Sequence, residues 1–199
     1  MKTPTKAAGM TTRTDQALPQ GWTGVVLAGG QSTRMGQDKA LLPWRGRPLL
    51  EHMTALLAAA GAARVVVSGH HPRYQGIVDP CPQRGPLGGL HGVAQALGDG
   101  PLLVVPVDMP GLTVGLLQRL VQCGPARCVI LARHRLPMRW DLDDAGRTLL
   151  RNWMQDPSAP TSLRAFQQAL GVRELPIGEG DLPKLANCNT PSEWEALAP

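Results

Sequence analysis

The residues with the clearest chemical potential form one run, Leu27-Ala28-Gly29-Gly30-Gln31-Ser32-Thr33-Arg34-Met35-Gly36-Gln37-Asp38-Lys39. Paired glycines let backbone N–H groups approach an anion closely, and the cations beyond them, Arg34 and Lys39, can neutralise it. The run reads as a phosphate cradle. It is neither the dinucleotide fingerprint G-x-G-x-x-G nor the P-loop G-x-x-x-x-G-K-[ST], which disfavours both of those families.

A cradle of this kind needs a strand to deliver it, and residues 24–28 (GVVLA) supply a short buried run that stops at Gly29-Gly30. Residues 48–60 then place Leu49, Leu50, Met53, Leu56, Leu57 and Ala60 on one helical face, with Pro48 in the first turn and Gly61 as the stop. Residues 64–68 (RVVVS) are a second β-branched run. Strand, helix, strand makes a βαβ unit, and the alternation continues. Helices are expected over 90–97 and 114–121, and strands over 101–107 and 128–131. Further helices are expected at 145–154 and 162–170, with a strand at 172–176. Pro106 inside the third strand predicts a bulge or an early end. Thr190-Pro191-Ser192-Glu193 combines a capping Thr, Pro at the first helical position and Glu at the third, so a last helix is expected there. The fold class is therefore α/β, a three-layer, mostly parallel sheet with helices on both faces, which binds ligands beyond the carboxyl ends of its strands.

The 199 residues, 43% hydrophobic and 18% charged, suit one domain with a full core and exclude disorder, collagen and mini-protein readings. Residues 1–20 are polar and Thr-rich without periodicity and read as a mobile tail, leaving 21–199 as a single domain. Of 20 cations 16 are Arg, in a net charge of +5, which suits an anionic substrate. With 4% aromatic residues and no block of like charges, nucleic acid is not expected as a partner. Cys81, Cys123, Cys128 and Cys188 form no C-x-x-C pair. No run is long enough for a spanning helix and the N-terminus lacks the apolar core of a signal peptide, so no membrane is expected and the protein reads as cytoplasmic.

The pattern L-A-G-G-x-x-x-R-M-G-x-x-K after an opening strand resembles the nucleotidyltransferases that load a nucleoside monophosphate onto an acceptor phosphate, the molybdenum-cofactor guanylyltransferases above all. Three further motifs follow in order. Gly85-Pro86-Leu87-Gly88-Gly89 resembles that family's G-P-L-A-G, Val107-Asp108-Met109-Pro110 its D-x-P, and Asn187-Cys188-Asn189-Thr190-Pro191 its N-x-N-T-P. The resemblance spans residues 23–195, dense to Pro110 and thin from 111 to 185. Gly29-Gly30 matches the L-A-G-G of guanylyltransferases, whereas related cytidylyltransferases resemble L-A-A-G.

The resemblance implies a Rossmann-like nucleotidyltransferase fold, with GTP and Mo-molybdopterin as substrates, Mg²⁺ as cofactor and molybdoenzyme maturation proteins as further partners. It implies a nucleotide site of Leu27, Ala28, Gly29, Gly30, Arg34, Lys39, Ser68, Asp79, Gly85, Pro86 and Asp108. Lys39 and Arg34 would offset charge on the α-phosphate and the departing pyrophosphate. Asp108, at the carboxyl edge of the sheet, would hold Mg²⁺ through oxygen, with Asn189 as a second ligand. Asp79 would accept guanine N1–H and the exocyclic amine. Asp79, directly before Pro80, reads equally as a turn residue, and Asp108, two residues before Pro110, has a turn or N-cap aspartate as its lesser alternative. On the acceptor side, Asn187 would face the pterin, and the segment 133–140, which gathers Arg133, Arg135 and Arg139, would hold the acceptor phosphate through Arg135 and Arg139 or form only a basic surface. Ser68 stands where the family tends to have Asn, and His70-His71 after it read as a solvent-exposed loop.

Overall fold

The computed structural model describes residues 21–29, 38–188 and Glu193. The tail at 1–20 and the start of the last helix at Thr190 lie outside them. Three parallel strands carry the first half: β1 (Thr23–Leu27) lies between β4 (Arg64–Ser68) and β5 (Gly100–Pro106). The second half adds β6 (Cys128–Leu131), β7 (Met138–Leu142) and β8 (Arg173–Leu175), giving the order β4-β1-β5-β7-β6-β8. Only β7 runs against its neighbours in this sheet.

Strands β1, β5 and β6 are apolar on both faces because both faces are covered. Val26, Leu103, Val105, Val129 and Leu131 face α1 (Leu49–Ala59) and α3 (Val114–Val121). Val25, Leu102, Val104, Cys128 and Ile130 face α2 (Pro86–Ala96), α4 (Asp144–Gln155) and α5 (Leu163–Ala169). The three-layer, mostly parallel expectation is borne out. α1 ends as its sequence dictates, with Gly61 at φ +103 and its N–H donating to the Ala58 carbonyl. Strand β5 ends at Pro106, where the missing N–H costs nothing because β7 pairs only as far as Val104.

Three elements differ from expectation. Helix α2 begins at Pro86 rather than Leu90, since Pro fits the first helical position and Gly88-Gly89 are helical despite their low propensity. A hairpin of β2 (Pro43–Trp44) and β3 (Arg47–Pro48) precedes α1, closed by Arg45 and Gly46 at φ 49 and 79. Strand β7 occupies sequence that read as an acceptor-side segment, with Met138, Trp140 and Leu142 on the α2 face and Arg139 on the other. No helix among the described residues is long and apolar enough to cross a membrane.

Candidate active site

The parallel register brings Leu27, Ser68 and Pro106 level with one another, so the three chains leave the sheet side by side. Ala28 N–H donates to the Ser68 carbonyl at 2.9 Å and Val107 N–H to the Leu27 carbonyl at 3.0 Å, which carries the alignment one step past the strands. Beyond them lies an open cleft of about 210 Å³. Leu27, Ala28, Gly29, Lys39, Ser68, Asp79, Gly85, Pro86 and Asp108 all line it. These are the nucleotide residues expected from sequence, except Gly30 and Arg34, which lie outside the described residues, as does Asn189.

Asp108 stands at the β5 end of this cleft. Burial pushes its carboxyl pKa up, and the nearby Lys39 ammonium opposes the rise. Lys39 opens a 3₁₀ turn, Lys39–Leu41, whose preceding Asp38 side chain accepts from Ala40 N–H at 3.0 Å. The Asp108 carbonyl accepts from Cys188 N–H at 2.8 Å, which brings the end of the described chain to the same edge. Asn187 is exposed there and Cys188 is buried. Burial raises the Cys188 thiol pKa, and the Asp108 and Glu193 charges raise it further, so it stays a neutral thiol. On the other side of the loop, His52 of α1 reaches the Pro110 carbonyl with Nε2 at 3.2 Å and packs against Trp44. Burial lowers its pKa, chiefly because a charged ring would be desolvated.

The opposite wall is built by Ser68, Asp79 and α2. The Ser68 hydroxyl is buried and finds no partner among the described residues. A buried hydroxyl left without a bond is costly, so an atom like this at a cleft wall is suited to a ligand. Gly89 lies close beneath it; a Cβ there would stand 2.7 Å from Ser68 Oγ. Asp79 Oδ1 accepts from Cys81 N–H at 2.6 Å in a turn, and the residue also lines the cleft. Its carboxylate lies over Gly88, where a Cβ would come within 2.5 and 2.7 Å of the two oxygens. Gly85, at φ 55 and without a side-chain cap, leaves the positive end of α2 open towards the cleft.

Arg139 is the main correction. It is 1% exposed, and its guanidinium bonds Asp141 and the carbonyls of Val121, Gly124 and Ala126. Those carbonyls belong to the last residue of α3 and to the connection that leads from it into the amino end of β6, away from the Asp108 edge. All its donors are spent inside the protein, so it has none for an acceptor phosphate. Arg135 is half-buried, and its neighbour Leu136 lines the cleft. The histidine pair also differs from expectation: His70 is exposed, but His71 is buried, with Nε2 3.1 Å from the Ala28 carbonyl. Sequence reasoning missed Asp38, His52 and His71 as supports of the site. The S/D/N-type cap signal before Lys39 could have found the first of them.

The family model for the MobA-like NTP transferase domain matches residues 24–173. The chain belongs to this family. A molybdenum cofactor guanylyltransferase of Xanthomonas euvesicatoria is 50% identical to this MobA-like transferase over 181 residues, covering 90% of this chain and 96% of the relative. A probable molybdenum cofactor guanylyltransferase of Synechococcus elongatus is 32% identical, covering 87% of this chain and 96% of its own length. Among solved structures, molybdopterin-guanine dinucleotide biosynthesis protein A from Archaeoglobus fulgidus superposes with a TM-score of 0.68 at 19% identity, over 87% of this chain and 95% of the other. The Rossmann-like nucleotidyltransferase fold is thus shared, and the protein is a nucleotidyltransferase.

Proposed function

We propose that the protein transfers GMP from GTP to the terminal phosphate of Mo-molybdopterin, releasing pyrophosphate; its 50% identical relative is named a molybdenum cofactor guanylyltransferase and its 32% identical relative a probable one. The observation that carries the reading is the convergence of Asp108, Lys39, Ser68 and Asp79 on one cleft at the carboxyl edge of the parallel strands.

An oxygen of the acceptor phosphate bonds the α-phosphorus of GTP while the bond to the β-phosphate oxygen breaks, and the electron pair leaves with pyrophosphate. The acceptor is already anionic, so no side-chain nucleophile is needed; placement and charge neutralisation supply the rate. Gly29 and the open end of α2 offer backbone donors to the nucleotide, and Lys39 neutralises charge that builds on the phosphates. The Ser68 hydroxyl and the Asp79 carboxylate are a donor and an acceptor on one wall, the pairing a purine edge with carbonyl and N–H groups requires.

Mg²⁺ fits this donor set. Asp38, Asp79 and Asp108 line the cleft, Asp108 at the β5 end beside Lys39, and no cluster of three or more acidic, His or Cys side chains that could hold a metal ion exists among the described residues. Mg²⁺ is commonly held by one or two carboxylates with phosphates and water completing its shell. Asp108 would hold it, with Asn189 as the second ligand by family resemblance, and the ion would supply neutralisation of phosphate charge.

The test is pyrophosphate release with GTP, CTP, ATP and UTP in turn, with Mg²⁺, with and without Mo-molybdopterin. Acceptor-dependent release with GTP alone is expected. Release with CTP instead would overturn the base assignment, and GTP binding without release from any nucleotide would point to a maturation partner that binds without transferring.

A further inference from the structure

The loop from Ser68 to Ile77 is a closed lasso. Gly69 N–H donates to the Ile77 carbonyl and Ile77 N–H to the Val67 carbonyl, both at 2.8 Å. Inside it, His71 N–H donates to the Gly69 carbonyl at 2.9 Å, while the His71 carbonyl accepts from Tyr74 at 2.9 Å and Gly76 at 3.1 Å. Tyr74 O–H donates to Glu51 of α1 at 2.8 Å, which fastens the lasso to the core. Gly69, at φ 130, lies so close to the start of the glycine-rich loop that a Cβ would stand 2.9 Å from Gly29 N. This rigid frame aims one side chain, His71, 7% exposed, at both described ends of the 29–38 loop.

At one end, His71 Nε2 lies 3.1 Å from the Ala28 carbonyl. A carbonyl only accepts, so Nε2 carries the proton and donates. At the other end, Nδ1 faces Asp38 Oδ2 at 3.7 Å. Asp38 is the residue that caps the turn carrying Lys39. One imidazole therefore spans the two anchor points of the cradle, and neither contact takes it into the cleft itself.

We propose that His71 is a positioning residue for nucleotide binding, fixing the Ala28 end of the glycine-rich loop through the Nε2–H bond, with its ring set beside the Asp38 cap that precedes Lys39. The proposal rests on the reading of that loop as the nucleotide cradle. A side chain that only filled space would be replaceable by any residue of similar volume. A positioning residue is replaceable only by one that restores the bond to Ala28.

Two variants separate these cases. In His71→Gln the amide nitrogen reaches the place of Nε2 and keeps the Ala28 bond. In His71→Asn the amide reaches only the place of Nδ1 and loses it. Mg²⁺·GTP binding and the KM and kcat of pyrophosphate release are measured for both and for the wild type. His71→Asn should raise Kd and KM for GTP about tenfold, the scale of one hydrogen bond, with kcat within about twofold. His71→Gln should return both constants to within about threefold of wild type. Equal effects of the two variants, or wild-type constants in His71→Asn, would overturn the proposal. A second reading needs no variant: in ¹⁵N spectra of the wild type, the His71 Nε2–H should exchange slowly and shift on GTP addition, and an unshifted resonance in a protein that binds GTP would also overturn it. Failure of the wild type to bind any nucleotide would instead overturn the reading of the cradle.

Discussion

The two halves of the sheet treat polar groups in opposite ways. Where β4, β1 and β5 run parallel, the chain leaves all three strands at one edge, and the polar side chains there face a cleft; Ser68 Oγ has no protein partner at all among the described residues. Where β7 runs antiparallel between β5 and β6, the same edge receives fewer chain ends, and the polar group on β7 is turned inwards and fully bonded, as Arg139 shows. Direction of the strands, more than residue type, separates a group kept for a ligand from one kept for the fold. A parallel strand must exit at the edge where its partner exits, and backbone and side-chain groups of several connections collect there.

The comparison can be broken most severely at Asp108. Asp108→Ala is expected to lower acceptor-dependent pyrophosphate release by about a thousandfold or more, the scale of losing a main electrostatic support of phosphoryl-type transfer. Burial raises the Asp108 pKa, so its charge opposes folding at neutral pH. Thermal melting of the variant should therefore be unchanged or higher.

In the other half the pattern should invert. Arg139→Leu strands three carbonyls and Asp141, and should destabilise the protein by about 3 kcal/mol in urea unfolding, the lower range for breaking a buried charged network. Turnover per folded molecule should stay at the wild-type value. A selective loss of turnover with normal stability would return Arg139 to the acceptor site.

Ser68→Ala sharpens the contrast more gently. The hydroxyl has no partner among the described residues, so its removal should not cost stability, while GTP affinity by calorimetry should fall about tenfold. The smallest effect is expected at Asp143, which caps α4 through Gly146 N–H at 2.7 Å. Asp143→Ala should cost about 1 kcal/mol and leave activity alone. Burial pushes the Asp143 pKa up, but the Gly146 N–H and Arg127 outweigh it and hold it below the ordinary 3.8. Its contribution is therefore complete above that value and is lost as pH falls through the lowered folded value, which acid titration of both proteins would display.

What the sequence made legible follows the same division. In the parallel half, buried strands read as short apolar runs, and Gly29-Gly30, Gly69 and Pro106 mark where they stop, so β1, β4, β5 and the cradle are placed from residues alone. Strand β7 was hidden because its alternation, Met138-Arg139-Trp140-Asp141-Leu142, puts an arginine at a position facing the core, and charge patterning reads such a residue as surface. The hairpin at β2 and β3 was missed although Arg45-Gly46 carries the glycine that a positive-φ turn asks for. His71 reads as part of a solvent-exposed loop because nothing local in His70-His71-Pro72 distinguishes a side chain pointing out from one docked on a carbonyl 43 residues away in sequence. Pairings over that distance are set by the lasso and the sheet, and a single sequence does not display them.

Amide hydrogen exchange with and without Mg²⁺·GTP tests the central claim most directly, because it reports on both halves of the sheet at once. The account predicts slowed exchange at residues 27–29, 38–40, 85–89 and 106–108, with residues 121–131 and 138–142 unchanged. Protection centred on the connection around Gly124 and on β7, with none at Ala28 or Asp108, would contradict it.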